Sequence, residues 1–236
     1  MKKIKIQKKM SSPIIIPLDT NYDKAITLAR SFDPDLCRLK VGNQLFTSSG
    51  PRVIDELSSL GYDVFLDLKF HDIPNTVFEA VRSVADLGVW MTNIHISGGS
   101  NMLDSAKRAL DSYKNPPLLI GVTMLTSLSN EDVKELGIND LSTSIINLAQ
   151  LAKYHDLDGV VCSAQEVSEI KRLLGDDFIA VTPGIRPVST DDDQTRVSTP
   201  QEAIKNGSDY LVIGRPITAT KNPLESLEKI LRDINL

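Results

Sequence analysis

Short apolar runs recur along the chain, and longer stretches with apolar residues every third or fourth position separate them. The runs are IIIPLD (14–19), LCRLKV (36–41), VFLDLK (64–69) and MTNIHIS (91–97), then LLIGVTM (118–124), GVVCSA (159–164), FIAVTPG (178–184) and YLVIGR (210–215). Runs of this length, rich in Val and Ile, predict buried strands. Amphipathic helices are predicted over 51–60, 76–87, 102–110, 142–154 and 166–174. Val77, Val81, Val84 and Leu87 illustrate the helical spacing. Eight strands alternating with about eight helices predict a single α/β domain, a (β/α)8 barrel. An open doubly wound sheet is the competitor, but the first strand is not followed by a Gly-x-Gly-x-x-Gly turn.

No linker or shift of composition divides 13–236, so one catalytic domain is expected there. The five lysines within the first 12 residues read as a frayed basic leader. They do not read as a secretory signal, which needs a longer apolar stretch and a cleavage site. Net charge is −5, which disfavours a nucleic-acid surface. No run reaches the roughly 18 apolar residues of a membrane span. Cys37 and Cys162 lie far apart with no C-x-x-C pattern. A cytoplasmic, reducing setting without disulfides or zinc is therefore expected.

In a barrel of this kind chemistry gathers at the C-terminal strand ends. Those ends carry Asp19, Lys40, Asp67, Lys69, His95, Ser97, Thr123, Ser163, Gly184, Gly214 and Arg215; the opposite ends show nothing comparable. Alternation on the third strand puts Phe65, Asp67 and Lys69 on one face and Val64, Leu66, Leu68 and Phe70 on the other. The apolar set suits the helix layer, so Asp67 and Lys69 are expected at the mouth. Asp72 follows in the loop, with Asn75 or Thr76 as the expected helix cap. By itself the D-x-K-x-x-D cluster admits a rim ion pair, a magnesium site or catalysis. Lys69 between the carboxylates disfavours a cation. Gly214 with Arg215, and Gly184 with Arg186, suggest phosphate binding at the last two strand ends. The long segment 186–200 suggests a functional lid. The three histidines show no metal-ligand spacing: His95 suits a core histidine or a catalytic one equally, and His155 suits a solvated helix end or a partner of the helix dipole.

DLKFHDIPNTV resembles the signature of the orotidine 5'-monophosphate decarboxylase family. LD (18–19), KVG (40–42), HISGG (95–99), VTMLTS (122–127), VTPGIRP (181–187), DDQTRVSTP (192–200) and IGRPIT (213–218) resemble further family blocks, in family order. The resemblance implies decarboxylation of orotidine 5'-monophosphate (OMP) to UMP in a homodimer, without cofactor or metal. It implies Lys69 as proton donor to C6, with Asp67 beside the substrate carboxylate. Lys40 would bridge the carboxylate network and the ribose, and Asp19 would bind ribose. Asp72 and Thr76 would enter the neighbouring subunit's site. Thr126 or Ser127 would meet the base, and Arg186, Gln194, Gly214 and Arg215 the phosphate. Pro17, which removes a backbone donor just before Asp19, is a departure that the sequence leaves unexplained. The nearest rival is a magnesium-dependent relative such as 3-keto-L-gulonate 6-phosphate decarboxylase, which typically has a glutamate where this chain has Lys40. A non-catalytic phosphate-binding barrel is the other alternative.

Overall fold

A computed structural model describes residues 12–187 and 197–234; the basic leader up to residue 11, Gln194 and the core of the expected lid lie outside the described residues. The apolar runs form β1 (Ile14–Pro17), β2 (Arg38–Gly42), β3 (Val64–Phe70), β4 (Met91–His95), β5 (Leu118–Val122), β6 (Gly159–Val161), β7 (Ile179–Thr182) and β8 (Tyr210–Val212). All pair in parallel and in sequence order, and β8 returns to β1, so the sheet closes into a barrel. Helices lie between the strands, including Arg52–Ser59, Pro74–Asp86, Ser100–Arg108, Leu141–Tyr154 and Ala164–Leu174. The (β/α)8 expectation therefore holds. Most strands are shorter than their apolar runs, and the residues left over at their C-terminal ends build the mouth.

Strand alternation divides the apolar residues between two layers. Ile14, Ile16, Leu39, Val41, Val64 and Leu66 are buried with the apolar faces of the surrounding helices. Ile15, Phe65, Met91, Ile120 and Val181 fill the barrel's interior. Burial of each such side chain contributes about 1.5–3 kcal/mol, which makes the two faces of each strand non-interchangeable.

Pro17 has a place in this closure. Leu18 N–H donates to the Lys40 carbonyl on β2, so the missing donor of Pro17 falls on the β8 side. The β1–β8 ladder has already ended there, its pairs being Ile14–Leu211 and Ile15–Val212. The proline ring instead packs beside Gly214, where an added Cβ would come within 3.1 Å of its Cγ.

The helix after β3 departs from expectation. Ile73 is its N-cap with Pro74 in the first turn, and no side chain caps it. Asn75 and Thr76 lie inside the helix, while Asp72 Oδ1 accepts the Ile73 N–H at 2.7 Å. His155 also differs: it is buried at a helix end, with Nδ1 2.6 Å from Asp104 Oδ1.

The N-terminal strand ends, expected to be unremarkable in charge, hold a buried guanidinium. Arg38 stacks over Trp90 at 4.3 Å and Tyr210 at 5.1 Å. It donates to the Ser12 carbonyl at 2.7 Å and lies 3.3 Å from Asp63. Two aromatic faces and a backbone acceptor let an arginine sit where an unpaired charge could not. It plugs the barrel at the end opposite the mouth. Arg38→Ala is expected to cost about 3.5–5 kcal/mol, the sum of a desolvated cation–π contact and a charged hydrogen bond. Arg38→Lys should recover only part of that, since an ammonium lacks the planar stacking face. Urea unfolding at constant m-value measures both.

Candidate active site

The ends of β1, β2 and β3 supply a line of alternating charges at the mouth. Lys40 points inward two residues above Arg38, as the pleat requires. Its Nζ lies 3.0 Å from Asp67 Oδ2 and 3.4 Å from Asp19 Oδ1. Lys69 Nζ donates to Asp67 Oδ1 at 2.6 Å. The order is therefore Asp19, Lys40, Asp67, Lys69, with both oxygens of the central carboxylate engaged by ammonium groups. Gly42 makes room for this line, because a Cβ there would stand 3.2 Å from Lys40 Nζ and 3.3 Å from Asp19 Oδ1.

Asp67 and Lys40 are both buried, and each is charged because of the other. Burial pushes the Asp67 carboxyl up, but the Lys40 and Lys69 ammoniums outweigh it and hold the pKa at about 2. For Lys40 burial works against the charge, and Asp67 and then Asp19 reverse it, leaving the pKa above its ordinary value. Burial, helped by His71 and Lys69, pushes His95 below the usual histidine range. The two imidazole rings lie 5.3 Å apart beside the charge line.

The line opens into a cavity of about 440 Å³, a size suited to a small-molecule ligand. Asp19, Lys40, Asp67 and Lys69 form one wall, and Phe65, Val122, Val161 and Val181 supply apolar surface. Pro17, Gly184, Arg186, Gly214 and Arg215 line it from the β7, β8 and β1 ends, and Met124, Leu125 and Thr126 from the β5 end. A site with one charged wall, an apolar lining and two arginines can hold a flat polar ring whose tail is anionic.

The expected residues divide into two groups. Asp19, Lys40, Asp67, Lys69, Thr126, Arg186, Gly214 and Arg215 line the cavity. Ser127 does not, and Asp72 and Thr76 are exposed outside the cavity of their own chain. Only one carboxylate, that of Asp67, is within salt-bridge distance of Lys69 among the described residues. Two polar strand-end residues have structural roles. Thr123 donates to the Val161 carbonyl at 2.9 Å, and Ser163 caps the helix Ala164–Leu174. Asn93 was not singled out by the sequence reading, yet it is fully buried and donates to Asp67 Oδ1 at 2.7 Å. Its signal was available: it alternates in phase with Met91 and His95 on an inward face.

Comparison with known proteins places this geometry. The model of the Orotidine 5'-phosphate decarboxylase / HUMPS family matches residues 12–230. The chain is 52% identical to the orotidine 5'-phosphate decarboxylase of Saccharophagus degradans, over 94% of each chain. It is 53% identical to that of Actinobacillus succinogenes, over 96% of this chain and 97% of the other. The crystal structure of orotidine 5'-phosphate decarboxylase from Lactobacillus acidophilus superposes with a TM-score of 0.85 at 37% identity, covering 96% of this chain and all of that one.

The depressed Asp67 pKa fixes a pH dependence. A carboxyl whose folded pKa is lowered contributes stability that is complete above the unfolded value, about 4, and lost as pH falls through the folded one. Asp67→Asn should therefore destabilise the chain by on the order of 3 kcal/mol at neutral pH, since it leaves Lys40 buried with a weaker partner. The gap between wild type and variant should stay level from about pH 5 to 8 and narrow below about pH 4. Urea unfolding across that range gives the measurement; a gap that widens in acid contradicts the assignment.

Proposed function

The chain belongs to the Orotidine 5'-phosphate decarboxylase / HUMPS family as a carboxy-lyase, and from that premise we propose that it converts OMP to UMP and CO₂, the last step of UMP biosynthesis. The observation that carries this reading is the Asp67 carboxylate held between two ammonium groups on the wall of a cavity lined by two arginines. Arg186 and Arg215, with the Gly214 backbone, suit the 5'-phosphate; Asp19 and Lys40 suit the ribose hydroxyls. The apolar lining suits the pyrimidine face, and Thr126 its polar edge.

Lys69 is assigned as the proton donor. The C6–carboxylate bond breaks, its electron pair remains on C6, and an N–H of Lys69 protonates that carbon as CO₂ leaves. General acid catalysis supplies about 10²- to 10⁴-fold, far short of what such a reaction requires. The larger share falls to electrostatics preorganised before the substrate arrives. A pre-set ammonium beside the developing carbanion costs no reorganisation when charge appears. Phosphate contacts remote from C6 can supply binding energy for positioning the ring.

Lys40 and Lys69 also favour a metal-free reaction over the magnesium-dependent alternative. Each Asp67 oxygen already faces an ammonium, so a divalent cation at this carboxylate would be repelled from both sides. Loss of OMP absorbance should proceed undiminished with EDTA present, and Lys69→Ala should abolish it. EDTA-sensitive turnover, or an active Lys69→Ala chain, overturns the reading.

Asp72 and Thr76 are read as contributions to a partner's site, giving a homodimer with two shared centres. Their exposure outside their own cavity, beside the 67%-exposed Ile73, supports this. Equal mixtures of Lys69→Ala and Asp72→Asn chains should then regain about a quarter of wild-type activity, because half the dimers pair unlike chains and each of those has one intact site. Mixtures no more active than their components would contradict a shared site.

A further inference from the structure

β3 and β4 do not run in step. Phe65 and Leu66 pair with Met91 and Thr92, but the next partner of Ile94 is Phe70. Three residues of β3, 67–69, thus stand opposite the single β4 residue Asn93 and arch away from the ladder. Lys69 takes a left-handed backbone, φ 52°, which a side-chain-bearing residue rarely adopts. Such a conformation persists only where the surroundings hold it.

Two β4 side chains take over the lost ladder bonds. Thr92 Oγ1 donates to the Leu66 carbonyl at 3.1 Å. Asn93 Oδ1 accepts the Lys69 N–H at 2.8 Å, while its Nδ2 donates to Asp67 Oδ1 at 2.7 Å. One carboxamide thus holds the backbone of one charged residue and the side chain of the other. No other side-chain chemistry of that length fits. A carboxylate has no donor for Asp67, and an aliphatic group leaves the Lys69 N–H without its acceptor and takes one of two donors from Asp67 Oδ1.

We propose that Asn93 is a positioning residue for proton transfer, fixing the arch so that the Lys69 ammonium projects into the cavity with Asp67 turned toward it. This deepens the decarboxylase reading above and rests on it. Asn93 is not among the residues that line the cavity. Its loss should therefore spare ligand binding and slow the step that needs Lys69 in register, by about 100-fold for a misplacement near 1 Å.

The test compares wild type, Asn93→Ala and Asn93→Asp in three assays: OMP turnover, UMP affinity, and exchange of the C6 hydrogen of UMP with solvent deuterium. Both variants should bind UMP within about twofold of wild type and lose kcat and exchange together, by about 100-fold. Asn93→Asp keeps an acceptor for the Lys69 N–H but lacks the donor to Asp67, so it remains informative if Asn93→Ala fails to fold. Kcat and exchange near wild type in either folded variant overturn the proposal. So does a parallel fall of UMP affinity and kcat, which is the signature of a site that has merely collapsed. A wild-type chain inert toward OMP would instead sink the decarboxylase reading, before any variant is compared.

Discussion

A carboxylate buried inside a barrel stays ionised only if the surrounding charges compensate for the lost water. Asp67 meets that condition with Lys40 on one oxygen and Lys69 with Asn93 on the other. The rest of the mouth follows from this requirement. Gly42 is small because Lys40 and Asp19 occupy the space above it. β3 leaves its ladder between Leu66 and Phe70, and Lys69 there takes a left-handed backbone. The left-handed turn at Lys69 costs about 1–3 kcal/mol, which the charged hydrogen bonds around it, about 1.5–3 kcal/mol each, are sufficient to offset.

Charge placement also explains why one carboxylate can serve two purposes. Before any ligand binds, Asp67 sits between two cations and, together with Asp19, balances their charge. When an anionic substrate enters, those same cations would face it from the cavity wall. In the reaction proposed above, the arginines at the far side would meet the phosphate, and attraction at both ends of the ligand would fix its direction. Both oxygens of Asp67 already face an ammonium group, Lys40 on one and Lys69 on the other.

Much of this was legible in the sequence, for reasons that can be named. The barrel followed from eight apolar runs alternating with helical spacing, and the inward face of β3 followed from period-two alternation. That alternation gave the right face although the strand is not regular, because the arch adds an even number of residues and preserves parity. The arch itself was invisible: nothing in VFLDLKF announces a positive φ at a lysine. Asn93 escaped because one amide in MTNIHIS looks like an ordinary polar residue until its two partners are known. Arg38 escaped for a related reason, since Trp90 and Tyr210, which shelter it, lie 52 and 172 positions further along the chain. Pro17 likewise made sense only once its neighbour across the closure, Gly214, was known.

β2 carries two inward cations, Arg38 at the closed end and Lys40 at the open one, with a single outward leucine between them. The first is held against aromatic faces at the end opposite the cavity; the second lines the cavity. A strand that anchors itself at one end can carry unfavourable electrostatics at the other without unfolding. This division bears on how the scaffold could be altered. Substitutions that retune the mouth draw on stability supplied at the opposite end, so a strengthened aromatic plug would widen the range of new charge patterns the mouth can tolerate. Laboratory evolution toward other anionic substrates would do well to begin beneath the barrel rather than at its rim.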